Sequence, residues 1–436
     1  MRNPRLLALT ICCLVAVGAH AQSQHWNERE LAAAVDALVQ PEADAGLLSG
    51  TLLIAQSDRI LIRRHYGFAN WEQRVPVSPN SRFAIASITK PMTAAIAEML
   101  ATEGRLDLDA PVRRYIPEFP RGPKGTDPTL RQLLDHKAGV PHRVTEPVDE
   151  TQRLLPAAIV ERIKTRGLLF EPGTDTLYSS AGYTALARAI ELVEQKAFAS
   201  VLAERIFKPA GMTGATDETS QQLMPGRVMP YRFSVDGARL VVASAPYKDM
   251  SFLTGAGSVY ATAEDLLHLA AAMRAGTLGK TAQAQVTSTD GTWRGFYGRN
   301  NSEASFDVLP SEGLTLVLLT NLQSTATWQL RAQLKNLLQR KPTTAIRRPA
   351  PVAPRFEPTS SFVGRYGTPA DWVEISEVEG RLLRDDNEFY PVEGKRYFIP
   401  ASGSTFQFRR SSSGKVDAMV TVFGSGQESV RPRIED

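Results

Sequence analysis

Two β-rich runs, Gly50 to Gln56 and Arg59 to Arg64, flank the turn pair Ser57-Asp58 and predict a hairpin. A helix with apolar periodicity follows at Ser87 and runs to about Glu103-Gly104. From Leu106 to Val144 the pattern breaks into short helices and loops. A second helix starts after Ser180, with Tyr183, Leu186, Ile190 and Val193 on its apolar side, and a third spans about Ala263 to Met273. Two strands, Ala304 to Leu309 and Leu314 to Asn321, surround a Pro-Ser-Glu-Gly turn, and the helix Thr325 to Leu338 closes this part. Strands at both ends with helices between them predict an α/β (α+β) domain: one sheet whose first and last strands meet, with a helical insert.

The pattern changes after Gln339. Lys341 to Ser360 carries Pro342, Pro349, Pro351, Pro354 and Pro358 with little apolar periodicity, and reads as a semi-extended linker. Beyond it come short strands separated by Gly, Asn and Ser turns: Trp372 to Ile375, Arg381 to Leu383, Tyr397 to Ile399, Phe406 to Phe408 and Met419 to Val422. They predict a small C-terminal all-β domain, a barrel or curled sheet, with Trp372, Phe398, Phe406 and Phe408 in its core. The expected organisation is therefore a leader over 1–21, a main domain over 22–340, a linker over 341–360 and a β domain over 361–436.

The leader follows from charge and hydropathy. Arg2 and Arg5 precede the apolar run Leu6 to Val17, and Ala19-His20-Ala21 has the small-x-small form of a cleavage site. This predicts a periplasmic or secreted protein with no stable membrane anchor after cleavage. Cys12 and Cys13, the two cysteines of the chain, lie inside the leader, so the mature protein has neither disulfides nor thiolate metal sites. The formal charge of +4 falls to +2 once Arg2 and Arg5 are removed, too small an excess to argue for nucleic acid. With 436 residues and 43% hydrophobic content, the chain is ample for more than one core.

The candidate chemistry is nucleophilic. Ser87-Ile88-Thr89-Lys90 opens the first helix. A three-residue spacing puts both side chains on one helical face, where the amine activates an otherwise weak serine nucleophile. The helix N-terminus favours negative charge developing there. Spacing alone is weak, since Ser412-Ser413-Gly414-Lys415 also matches and reads as a hairpin turn. Tyr178-Ser179-Ser180 is the only Tyr-x-Ser in the chain and precedes the second helix. An ammonium nearby would favour the phenolate of Tyr178, letting Tyr178 and Lys90 share the proton of Ser87. Taken alone, Tyr178 also fits a packed aromatic and Ser180 an N-cap. Asp135, His136 and His142 lack metal-ligand spacing, and His136 reads as structural. There is no Gly-x-Ser-x-Gly elbow and no His-Glu-x-x-His.

Together with their flanks, these motifs resemble the class C β-lactamase-like serine hydrolases, the penicillin-binding-protein-like Ser-x-x-Lys family. Gly104 to Val112, the Leu133 to Pro141 loop, the Ile206 to Met212 turn and Gly255 to Leu266 match its successive segments, so the likeness covers about Ala45 to Gln339. The resemblance implies the β-lactamase/transpeptidase sheet with its helical insert. It also implies Ser87 as nucleophile, Lys90 as general base and Tyr178 as proton shuttle. Ser180 stands where the family has asparagine. The family's Lys/His-Thr/Ser-Gly strand motif has no good match. Lys280-Thr281-Ala282 lacks the glycine, and alignment on the last hairpin puts the slot at Phe296-Tyr297-Gly298-Arg299. Ser180, Gly298 and Arg299 are then the expected substrate-binding residues, with the oxyanion on the Ser87 amide and a strand amide near Arg299. The resemblance implies acyl transfer on an ester, amide or lactam of a small-molecule or peptide substrate, with neither metal nor organic cofactor. An esterase or peptidase is favoured over a true β-lactamase. The degenerate strand motif leaves one rival, a non-catalytic binding protein that keeps the fold.

Overall fold

The structure is a computed structural model. It describes residues 26–434 except 58, 147–148, 218–222, 237–238, 289, 301, 347–358, 369–370, 379, 385–386, 393, 395, 400–403 and 424–426. The leader and most of the proline-rich linker lie outside the described residues.

The central sheet is antiparallel, in the order Arg294–Asn300, Ser302–Leu309, Leu314–Thr320, Gly50–Gln56, Arg59–Tyr66. The first and last strands meet as the pattern predicts, with Gly50 opposite Thr320 and Gln56 opposite Leu314. These strands are apolar almost throughout because both faces are covered. Leu52, Ile54, Leu316 and Leu318 point to one core, while Leu53, Ala55, Val317 and Leu319 point to the other. Each of these leucine, isoleucine and valine side chains contributes about 1.5–3 kcal/mol by leaving water.

The first core lies under two helices. Glu28–Asp44 is capped by Asn27, whose side chain accepts from the amides of Arg29 and Glu30. Its Leu31, Val35 and Val39 pack with Leu330, Leu334 and Leu338 of Thr325–Leu338. The second core holds the helical insert. Ile96 and Leu100 of Thr89–Thr102 meet Leu186 and Ile190 of Ser180–Glu194 there. The insert therefore packs on one face of the sheet, and the turn Ala86–Ile88 meets the edge strand Arg294–Asn300.

The C-terminal part is a nine-stranded antiparallel sheet. Its two outermost strands, Asn387–Glu388 and Tyr390–Val392, are separated in the chain by Phe389 alone, so the sheet curls into a nearly closed barrel. Phe406 is fully buried in it and Phe408 packs against that core. Two expectations are corrected. Trp372 faces out, 39% exposed, beneath the Arg365 guanidinium. Its strand neighbours Val373 and Ile375 share the opposite face, and both belong to the buried core. Phe398 packs with Tyr390 and Val392 in a separate small cluster. The barrel touches the main domain where Ser234 Oγ donates to Glu388 Oε2 at 3.1 Å and accepts from Arg381 Nη1 at 2.8 Å.

Candidate active site

A sharp turn presents the nucleophile. Ile85 sits near φ −90°, ψ −1°, and Ala86 is left-handed at φ +45°. That conformation costs a non-glycine residue on the order of 1–3 kcal/mol and persists only where the surroundings impose it. One 3-10 turn, Ala86–Ile88, then feeds the helix Thr89–Thr102. Ser87 thus precedes the helix proper, and Lys90 follows one turn later on the same face. Lys90 Nζ lies 3.1 Å from Ser87 Oγ.

Lys90 is 4% exposed. Its Nζ donates to the carbonyl of Ala256 at 2.8 Å and lies 3.2 Å from Ser180 Oγ. Thr93, one further turn along, donates to the carbonyl of Gly255 at 2.6 Å, so the segment at 255–256 is pinned to this helix. Burial pushes Lys90 down to about 7. The amine is therefore a base near neutrality, where an exposed lysine would be protonated.

The second motif is held from behind by two histidines. The amide of Ser179 donates to His136 Nδ1 at 3.1 Å, and that of Ser180 to His142 Nδ1 at 3.3 Å. Both rings also pack on Tyr178, with centroids 4.6 and 5.4 Å away. Burial first, and the nearby Lys90 second, push His136 down to about 4, so it stays neutral and accepts that amide across the working range. His136 is structural, as expected. His142 in addition lines the cleft; sequence reasoning missed that role, and a single histidine in a loop offers no periodic or spacing signal for it.

Tyr178 OH donates to Ser87 Oγ at 2.8 Å. The expected drift toward phenolate is not what the geometry favours. Burial pushes the Tyr178 phenol up, and only its bond to Ser87 opposes this. Lys90 lies over the ring face, 4.8 Å from its centroid. Ser180 needs a second correction: the N-cap is Ser179, whose Oγ accepts from the Gly182 amide at 2.8 Å. Ser180 Oγ is thereby left to face Lys90.

The edge strand completes the cleft. Phe296 stacks on Phe306 at 4.4 Å and packs against the second core. Lys280–Ala284 is a short helix and plays no part as an edge-strand motif. Gly298 is buried against the nucleophile turn, where a Cβ would lie 2.1 Å from the Ile85 carbonyl oxygen and 2.8 Å from the Ser87 amide nitrogen. Arg299 forms an ion pair with Glu303 at 3.7 Å. Ser87, His142, Tyr178, Ser180, Tyr297 and Arg299 share a cavity of about 370 Å³. The structure thus gathers every residue expected at the site. Among the described residues, no three His, Cys, Asp or Glu side chains converge to hold a metal ion.

A family model described as Beta-lactamase matches residues 31–339. PbpX of Bacillus subtilis (strain 168), which carries a provisional penicillin-binding-protein name, is 27% identical over 292 residues, covering 64% of this chain and 72% of PbpX. The chain spans less than two thirds of several other relatives. The fold resembles the D-amino acid amidase from Ochrobactrum anthropi SV3, with TM-score 0.62, 20% identity, and coverage of 71% of this chain and 99% of that one. It also resembles an octameric penicillin-binding protein homologue from Pyrococcus abyssi, with TM-score 0.61, 19% identity, and coverage of 94% and 97%.

Proposed function

We propose, from the premise that this chain belongs to the beta-lactamase family of serine hydrolases, that it is an exported hydrolase working through an acyl-Ser87 intermediate. The observation that carries this reading is the placement of Ser87 Oγ between Lys90 Nζ at 3.1 Å and Tyr178 OH at 2.8 Å. A neutral amine has two N–H donors and one lone pair. Ala256 O and Ser180 Oγ take the donors, which leaves the lone pair for the Ser87 proton.

Attack forms the Ser87 Oγ–carbon bond while the proton moves to Lys90. The new ammonium then has three N–H groups and three facing oxygens, on Ser87, Ser180 and Ala256. The oxyanion is taken by the Ser87 amide and the edge strand at Gly298-Arg299, where each lost donor costs about 10²–10³ in rate. Collapse breaks the bond to the leaving group. Tyr178, the hydroxyl on the other side of Ser87 Oγ, supplies the proton, and the proton on Lys90 restores the phenol. Water repeats the sequence on the acyl-enzyme.

The substrate class follows from charge. Phe296 stands where the alignment puts the family's cation and Glu303 offsets Arg299, so the edge strand offers little to a substrate carboxylate, with Arg143 of the lining as a further cation. Neutral esters are expected to exceed penicillins and carboxylate-ended peptides in kcat/KM. A p-nitrophenyl ester, nitrocefin and a D-Ala-D-Ala peptide make the comparison. A clear preference for nitrocefin overturns the ranking. Turnover of none of them by the folded protein favours a binding protein that keeps the fold, the reading that the altered edge strand supports.

Export is part of the proposal. Among the described residues no helix is long and apolar enough to cross a membrane. A mature chain beginning at Gln22 is expected from N-terminal sequencing of the protein expressed with its leader in a bacterial host; an uncut Met1 or Arg2 terminus in the exported fraction contradicts it.

A further inference from the structure

Glu303 is a buried charge that the acyl-transfer scheme leaves unused. It lies on the strand Ser302–Leu309, directly opposite Arg299 of the edge strand. Its side chain is 1% exposed, whereas that of Arg299 is 36% exposed and lines the cavity at Ser87. Their separation of 3.7 Å makes an ion pair but is too long for a hydrogen bond. Tyr297 and Thr327 approach the carboxylate, yet Oε2 is buried without a well-formed hydrogen bond. Arg331, from the neighbouring helix, is already held by Asp307 at 2.7 and 2.8 Å. Arg299 is therefore the main partner that favours the ionised form. Burial opposes it and pushes Glu303 up to about 7.

We propose that Glu303 sets the charge preference of the substrate cleft by holding and neutralising Arg299. The inference rests on the serine-hydrolase reading and names the substrate property that this site selects. With Glu303 ionised, the pair shows little net charge to the cleft, and neutral substrates are preferred. With Glu303 protonated, Arg299 keeps its charge, loses its anchor and becomes available to a substrate carboxylate. Glu303 is thus a positioning residue. Lys90, His142 and Arg143 also border the cavity, and Arg143 is common to the native protein and its Glu303→Gln and Arg299→Gln variants. Protonation of Lys90 removes the active base for every substrate alike and cancels in a ratio of rates.

The test is the ratio of kcat/KM for mono-p-nitrophenyl glutarate to that for p-nitrophenyl pentanoate, measured from pH 5.5 to 8.5. In the native protein the ratio is expected to rise about tenfold as pH falls through about 7, the size of one weakly screened charge in a partly wet cleft. Glu303→Gln should give a high ratio that no longer changes with pH. Arg299→Gln should give a low, flat ratio. A rise that survives in Arg299→Gln places the charge on another group such as His142 and overturns the proposal. So does a Glu303→Gln ratio equal to the native one at pH 8.5. If Glu303→Gln does not fold, the Arg299→Gln comparison decides alone. If neither ester is turned over, the ester preference fails, and the Kd of glutarate decides the inference: about tenfold tighter in Glu303→Gln than in the native protein at pH 8.5 supports it, and equal values overturn it.

Discussion

Replacing Lys90 by methionine is expected to lower kcat/KM at least about a thousandfold while raising the melting temperature by a few degrees at pH 7. The loss follows from removing the base, a contribution of about 10²–10⁴ by itself, together with the anchor that orients Ser87. The gain follows from burial. In the unfolded chain Lys90 titrates near the ordinary 10.5, and in the folded protein near 7. Between these values the unfolded state binds more protons, so stability rises with pH across that window. The cost of burying the amine is full below about 7 and fades toward 10.5. Methionine removes that cost but leaves the Ala256 carbonyl without its donor, so the net gain at pH 7 is about 1–3 kcal/mol. Native kcat/KM should climb tenfold per pH unit below about 7 and level off above it, because the neutral amine is the active form. Melting curves at pH 6 and pH 10 separate the two effects. A variant no more stable than the native protein at pH 6 contradicts the burial argument.

Gly298→Ala is expected to cost about 10²–10³ in kcat with the fold retained. The added methyl would fall 2.1 Å from the Ile85 carbonyl oxygen and 2.8 Å from the Ser87 amide nitrogen. Both are backbone atoms of the turn that already holds Ala86 at φ +45°. Neither can rotate aside, so the edge strand must move away from Ser87 or the turn must relax. Either shift spoils the oxyanion geometry, and a displacement near 1 Å costs about a hundredfold. Gly257→Ala is the control. Its methyl would meet the flexible Leu253 side chain first, at 3.2 Å, and the Ala86 backbone only at 3.4 Å. A much milder loss is expected there. Equal losses in both variants, with unchanged circular dichroism, would remove the special role of the strand–turn contact.

Much of this architecture was legible because it rests on periodicity. The strands Gly50–Gln56 and Leu314–Thr320 are apolar at nearly every position, which is how strands covered on both faces read. Thr325–Leu338 carries its apolar positions at helical spacing, so its limits were readable as well. Ser87 and Lys90 were legible because three-residue spacing on a helix dictates their approach. Details decided by one residue among equals were not. Ser179 and Ser180 are adjacent and chemically identical, and only the fold determines which one caps the helix and which one faces Lys90. Trp372 looked like core, but a strand turns every second side chain outward, and the register was not visible in the composition. Charge placement was legible only in part. The absence of a lysine or histidine on the edge strand was plain, whereas the pairing of Arg299 with Glu303 depends on the strand register. The left-handed Ala86 carries no sequence signal, since alanine is ordinarily a poor residue for that conformation.

Intact-mass spectrometry of the purified protein after exposure to a fluorophosphonate, and separately to a penicillin, examines the acyl-Ser87 intermediate itself. A single covalent adduct is expected on the native protein and on Ser412→Ala, with fragmentation placing it on Ser87. Ser87→Ala should remain unmodified under the same conditions. An adduct that persists in Ser87→Ala, or a folded native protein that neither reagent modifies, contradicts the proposed nucleophile.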